Sequence, residues 1–399
     1  MMSDFELATT LKKNAYFDNA ATTFPKPNCV YHFMNNFYKN FAGNAGRGEN
    51  QFSQSSSKLI FETRKKIQKL LHCETKQVIF TPSATISLNM ILQGLILSNP
   101  TMIKNIYISP FEHNAVTRVL HHFEMQEKIE VFQLSMNKQS LQYDFERIKY
   151  QFDEVKPDLM IVSHASNVIG LISPVKELCH LAKNYEATTI IDMAQTCGLV
   201  DLDCSSNEID FAVFAGHKTL YGPTGIGGFV KNPNVNLEPI LFGGTGFDSV
   251  NPNMPTSIPE RYEMGTQNIV GIAGFHAALC WIEEIGLKEL WQKECENRKR
   301  LIKIFENYDF VKIIGNVADE GEYVGIVSVL LDGISSDSAE SIFNERGIAI
   351  RSGLQCSPLA HKFLGTSPAG TVRFSTGYFT SEDDFILLEK VLDEIGEEI

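Results

Sequence analysis

The chain has 399 residues, 43% hydrophobic and 21% charged, an ordinary globular balance with more apolar mass than one simple core holds, so two domains are expected. Its 35 Lys plus Arg against 48 Asp plus Glu leave a net charge of −13, which argues against nucleic acid or another polyanion as a partner. No apolar run approaches bilayer-spanning length, and the start of the chain carries Asp4 and Glu6 without an apolar stretch, so no membrane partner and a cytoplasmic location are expected.

Taken in order, Tyr16-Phe17-Asp18-Asn19-Ala20-Ala21-Thr22-Thr23 predicts a brief strand and a polar turn, and Pro25 and Pro27 precede a helix. Gly43-Asn44-Ala45-Gly46-Arg47-Gly48 reads as a loop, either a surface turn or the rim of a site. Gln77 to Thr81 is a strand, and Pro82-Ser83-Ala84-Thr85 turns it into a helix carrying Leu88, Ile91, Leu92 and Leu95. The backbone N–H groups of Ser83, Ala84 and Thr85, with the Thr85 hydroxyl, suit either a plain helix cap or a bound phosphate.

Ile106 to Ser109 is a further strand, followed by His113, which is either a structural hydrogen-bonding residue or a flat ring able to stack on a ligand and move a proton. Leu159 to Ser163 continues the sheet and leads to Asn167, a donor and acceptor at a turn. Thr188 to Asp192 ends in a carboxylate at the same sheet edge. The uninterrupted run Phe211-Ala212-Val213-Phe214 predicts a strand covered on both faces; Gly216 ends it, and His217 and Lys218 follow. A lysine there is either a solvated surface charge or, since it lies where open α/β sheets bind ligands, a buried amine whose pKa is lowered into a nucleophilic range. Gly225-x-Gly227-Gly228 continues as a Gly-rich loop without the full dinucleotide fingerprint.

From Ile269 a long apolar-periodic helical stretch runs through Ile304 as a link to a smaller α+β domain, with strands at Val324 to Leu331 and Thr371 to Ser375. The eight cysteines show no Cys-x-x-Cys pair or His/Cys cluster, so neither disulfides nor a metal is expected. Cys356 stands apart because it sits at the tip of the Gly-bearing loop Ile350 to Leu359, where a thiol is accessible as a nucleophile. A planar guanidinium fits a carboxylate in two-point geometry, which makes Arg373 the expected clamp for a substrate carboxylate and Arg351 the secondary one; a surface ion pair is the alternative for both.

Three segments together carry a resemblance. IIDMAQT, AGHKTLYGPTGIG and RSGLQC match the D-x-A-Q, S/T-G-H-K-x-x-G-P-x-G-x-G and R-x-G-x-x-C segments of the cysteine desulfurases, a branch of the class V aminotransferase group of fold-type I pyridoxal 5'-phosphate enzymes. The similarity runs from about Tyr16 to the C-terminal helix. It implies an arm over residues 1–25, a large α/β domain with a mostly parallel seven-stranded sheet over 26–270, and a linker helix with a small α+β domain over 271–399.

For the site, the resemblance implies pyridoxal 5'-phosphate on Lys218, Asp192 at its ring nitrogen, His113 over the ring and Gln195 at the phenolic oxygen. It places Ser83, Ala84, Thr85 and His217 around the phosphate, with Ala215 standing where many relatives have a hydroxyl. Thr266 matches a hydroxyl lent across a homodimer interface, and Ala21, Asn167, Arg373 and Arg351 match the substrate-side positions. The implied reaction converts L-cysteine to L-alanine and leaves a persulfide on Cys356 for a sulfur-acceptor protein. Selenocysteine lyase, transaminase, β-lyase and epimerase activities are the alternatives within the group.

Overall fold

The computed structural model describes residues 14–46, 49–98, 103–246, 250–317 and 322–398. Residues 1–13 of the expected arm, and Arg47 and Gly48 of the Gly-rich loop, lie outside them. The larger sheet has seven strands in the spatial order β2 (Gln77–Thr81), β8 (Gly227–Lys231), β7 (Phe211–Ala215), β6 (Thr188–Asp192), β5 (Leu159–Ser163), β3 (Asn105–Ile108) and β4 (Glu130–Gln133). Only β8 runs against its neighbours β2 and β7. All the other pairings in the sheet are parallel.

β5 and β7 are buried along their whole length, as their unbroken apolar runs require in a sheet covered on both faces. Successive residues feed opposite cores. Val78, Phe80, Met160, Val162, Ile191 and Phe214 pack toward α2 (Gln51–Leu70), α6 (Val175–Lys183) and α7 (Ile269–Ile285). Ile79, Leu159, Ile161, Ile190, Phe211 and Val213 pack toward α3 (Ala84–Ser98) and α4 (Asn114–Glu124). α1 (Asn28–Asn40) lies against α7, and α5 (Phe145–Glu154) adds Ile148 and Phe152 to the first core.

The smaller sheet is antiparallel, in the order β12 (Arg351–Gly353), β13 (Thr371–Ser375), β10 (Ile326–Leu331) and β9 (Val311–Ile314). Phe305 of α8 (Leu287–Phe305), Phe343 of α9 (Ser336–Glu345), Phe374 and Leu388 of α11 (Glu382–Glu398) form its core. β1 (Ala15–Tyr16) pairs in parallel with β11 (Ile348–Ala349), so the start of the described chain is joined to this half.

Two expectations are corrected. The helical stretch after Ile269 is not one long helix: α7 and α8 meet at an 86° bend. The bend falls at Gly286, whose φ of +86° with ψ of 142° is a backbone conformation open to glycine and incompatible with continuing the helix. Gly227 and Gly228 are not loop but open β8. A Cβ on Gly228 would lie 2.3 Å from the Ile79 carbonyl oxygen, so the strand threads between β2 and β7 only as glycine. Among the described residues no single helix is long and apolar enough to cross a membrane.

Candidate active site

The carboxyl ends of β2, β3, β5, β6 and β7 converge on one cavity, lined by Ser83, Thr85, His113, Asn167, Asp192 and Lys218 among others. The lysine is aimed by its backbone. A Cβ on Gly216 would come 2.7 Å from the Ile226 carbonyl oxygen, so the turn out of β7 closes only on glycine. The segment after β1 then grips the two residues beyond that glycine: the His217 carbonyl accepts from Thr23 N at 3.1 Å, Thr22 Oγ1 at 3.2 Å and Lys26 Nζ at 2.6 Å. The Lys218 carbonyl accepts from Thr23 Oγ1 at 2.7 Å.

Burial pushes the Lys218 ammonium down to about 8, against the pull of Asp192. Asp192 is itself buried, which raises its carboxyl above the usual range, while Ala194 N donates to Oδ1 at 2.9 Å and Lys218 favours the charged form. Among the described residues Oδ2 takes no hydrogen bond. His113 caps α4 by accepting from Ala115 N at Nδ1, 3.0 Å away, so its proton is on Nε2. Burial, and then the charges of Lys218, Arg118 and Arg373, lower it to about 4, so it is neutral at physiological pH. His217, paired with Thr22 Oγ1 at 3.1 Å, is lowered to about 4 in the same way by burial and Lys218.

Ser83, Ala84 and Thr85 form the amino end of α3 at the cavity wall. Ser83 Oγ caps the Ile86 N–H at 3.3 Å, which is the cap reading of this turn, and Ser83, Ala84 and Thr85 all line the cavity. A Cβ on Gly227 would lie 3.1 Å from Ala84 N, so glycine there keeps that helix end close to the sheet. Gln195 lines the cavity and spends one amide hydrogen on the Ala20 carbonyl at 3.0 Å.

Cys356 is exposed in a surface groove, and Thr85, His113 and Ala115 line both that groove and the lysine cavity. The two spaces therefore share a wall. Three sequence expectations meet a different geometry. Arg373 does not line the cavity: it donates to Asn167 O and to Asp18 Oδ1, both at 2.9 Å, and its buried Nε has no partner among the described residues. The Asn167 side chain is committed to the cysteine loop, donating to Gln355 O and accepting from Ser357 Oγ, both at 2.7 Å. Arg351 is 47% exposed and donates to Asp18 Oδ2 at 2.8 Å.

Thr266 and Ala21 do not line the cavity. Thr266 is exposed beside a separate pocket with Thr81, Ile86 and Tyr262, and Ala21 donates its N–H to Asp18 O at 3.1 Å within the turn. Asp18 is the residue that sequence reasoning misses, because an acid in a short polar turn gives no sign of the two arginines it holds.

A buried lysine and a buried aspartate follow the neighbouring parallel strands β7 and β6 and line one cavity with the amino end of α3, a layout that defines an α/β protein with a lysine-bearing site at its sheet edge. The chain belongs to the Aminotransferase class-V family, whose profile matches residues 15–388. It is 27% identical over 393 residues to a probable cysteine desulfurase of Methanothermobacter thermautotrophicus, covering 97% of this chain and 96% of that one. It is 29% identical to a probable cysteine desulfurase of Pyrococcus abyssi, covering 95% and 94%. The apo structure of cysteine desulfurase from Thermococcus onnurineus NA1 superposes with a TM-score of 0.89 at 28% identity, covering 97% and 95%. The fold-type I architecture expected from the motifs is the one adopted.

Proposed function

We propose that this protein is a pyridoxal 5'-phosphate-dependent cysteine desulfurase, working as a homodimer in the cytoplasm and passing sulfur to an acceptor protein. The observation that carries the reading is the shared wall between the Lys218–Asp192 cavity and the Cys356 groove. Three features fit the cofactor: the lysine lowered to about 8, the Asp192 oxygen without a protein partner, and the cradle at the α3 amino end that the glycine at 227 leaves open. Lys218 would hold the aldehyde, Asp192 the ring nitrogen, and Ser83, Ala84, Thr85 and His217 the phosphate. When bound, the group supplies an electron sink for the bond changes at the substrate's Cα.

The chain's own residues do the rest. Arg373 would receive the L-cysteine carboxylate, with the second amide hydrogen of Asn167 as an added donor and Arg351 farther out. Lys218, lowered to about 8 and so partly neutral near that pH, would take the Cα proton and later return a proton to carbon, with neutral His113 as a second proton carrier. Cys356 Sγ forms a bond to the substrate sulfur as the Cβ–S bond breaks, so that L-cysteine and the thiol become L-alanine and a persulfide.

All eight cysteines are free thiols, in keeping with a reducing compartment. Tyr31, Tyr38, Phe41, Phe52, Phe61 and Phe242 are exposed large side chains of the kind a subunit interface covers, and Thr266 is also exposed, available to a second subunit.

The test is alanine and sulfide production from L-cysteine with a reductant, comparing wild type with Cys356→Ala after recording the visible spectrum. A yellow protein whose stoichiometric products depend on Cys356 is the expected result. Pyruvate, or indifference to the substitution, would point to a lyase or transaminase, and a colourless protein would remove the cofactor from the reading.

A further inference from the structure

We propose that Gln355 and His361 are positioning residues that hold the Cys356 thiol at the mouth of the lysine cavity. The proposal rests on the desulfurase reading. The backbone shows the need for them: Gln355 and Cys356 have φ of 39° and 58°, two successive non-glycine residues in the left-handed region. Such a pair persists only where its surroundings over-determine it.

The main chain is fixed at each residue of the loop. Asn114 N donates to Cys356 O and Asn167 Nδ2 to Gln355 O, both at 2.7 Å, and Ser357 N closes onto Leu354 O at 2.8 Å. The base of the loop is equally constrained. A Cβ on Gly370 of the neighbouring segment would lie 2.0 Å from the Gly353 carbonyl oxygen.

The Gln355 side chain then runs inward. Its Nε2 donates to Thr371 O at 2.8 Å, and since a carbonyl can only accept, the amide orientation is determined. Its Oε1 is therefore the acceptor for His361 Nε2 at 2.9 Å. That places the imidazole proton on Nε2, so Nδ1 accepts from Thr366 Oγ1 at 2.8 Å. Burial keeps this histidine neutral, at about 4, as that arrangement requires.

Gln355, His361, Thr366 and Thr371 are all at most 8% exposed, whereas Cys356 is exposed. Apolar side chains could fill the same space beneath α10 (Pro358–Leu364) without four polar groups to satisfy. What the polar relay adds is a defined direction for the residue next to the nucleophile. The thiol must reach a sulfur bound over Lys218, and a misplacement of about 1 Å costs on the order of 100-fold in rate.

The experiment uses the holoenzyme and three variants. His361→Phe removes both contacts, Thr366→Val removes only the donor to Nδ1, and His361→Asn keeps a side-chain donor. Two rates are compared: exchange of the L-alanine α-proton with solvent deuterium, which uses the lysine cavity alone, and single-turnover alanine release from L-cysteine, which also needs Cys356.

The expected result is unchanged exchange with alanine release about 10- to 100-fold slower in His361→Phe. Thr366→Val is expected to fall between, and His361→Asn to restore part of the loss. Faster amide hydrogen exchange at residues 354–357 should accompany the loss. Both rates falling together, or alanine release surviving with a loosened loop, would overturn the proposal. Should His361→Phe not fold, Thr366→Val decides by the same criteria. If wild type makes no alanine from L-cysteine, the desulfurase reading fails instead, and unchanged amide protection in the variants would separately overturn the positioning role.

Discussion

Asp18 Oδ1 lies 2.9 Å from Nη2 of Arg373, an ion pair whose side chains are 9% and 4% exposed and which ties the segment after β1 to the last strand of the smaller sheet. The other oxygen holds the half-exposed Arg351 at 2.8 Å.

Removing one partner of a buried pair strands the other charge. Asp18→Ala is therefore expected to lower the unfolding free energy by about 3–5 kcal/mol in urea titrations. It should also raise KM for L-cysteine more than it lowers kcat, because Arg373 loses its anchor rather than its charge. Arg351→Ala, which breaks the more exposed pair, should cost under about 1 kcal/mol. Equal costs for the two would contradict the ranking.

For Lys218 the pH dependence has a definite sign. Its ammonium is lowered to about 8 from 10.5, so between those values the unfolded chain binds a proton that the folded chain has released, and stability rises with pH across that window. In cofactor-free protein, Lys218→Met should exceed wild type in stability below pH 8 and lose that advantage by pH 10.5. Reductive alkylation of Lys218 should inflect near pH 8; an inflection above 10 would refute the buried-amine account.

Glu294 titrates in the opposite sense. It is buried, accepts from Gly325 N at 3.0 Å, and burial raises it to about 8 from 4.5. The folded chain keeps a proton that the unfolded chain gives up, so stability falls as pH rises from 4.5 to 8. Glu294→Gln is expected to match wild type in Tm near pH 4.5 and to exceed it increasingly up to pH 8. A constant Tm difference would show that the carboxyl does not titrate there.

His113→Asn separates capping from chemistry. Asparagine caps a helix well, so stability should stay within about 0.5 kcal/mol of wild type, while kcat for alanine formation should drop by about 10²–10⁴ if Nε2–H carries protons. A loss of stability with little loss of kcat would make His113 structural.

The strands that build the site are legible because apolar runs such as Phe211 to Phe214 have one physical use, a sheet buried on both faces. Lys218, Asp192 and His113 come at strand ends, and the structure brings them to one cavity. Gly286 is readable in hindsight: a glycine between Ile285 and Leu287 inside an apolar pattern is a helix stop, but the pattern on both sides outweighs it. Asp18 and the Gln355–His361 pair are not readable, because their meaning lies in partners. Asp18 meets arginines 333 and 355 positions away, and the Asn167 amide meets a loop 188 positions away. The commitment of Asn167 to the cysteine loop is likewise a property of tertiary approach alone.

The early segment that grips Lys218 is itself held by β13: Ser375 N donates to Phe17 O at 2.7 Å, and Asn19 Nδ2 to Ser375 O at 2.9 Å. During synthesis, residues 15–26 leave the ribosome well before these partners and wait for groups made more than 300 residues later, tens of seconds at about 5–20 residues per second. A nascent chain stopped before β13 can pair every strand of the larger sheet, yet it lacks Arg373 and Ser375, which hold Phe17, Asp18 and Asn19 beyond the pairing of β1 with β11. Competence is therefore acquired only after β13 is made, and a truncation that spares the lysine, the aspartate and the cysteine but removes β13 should leave the site unassembled.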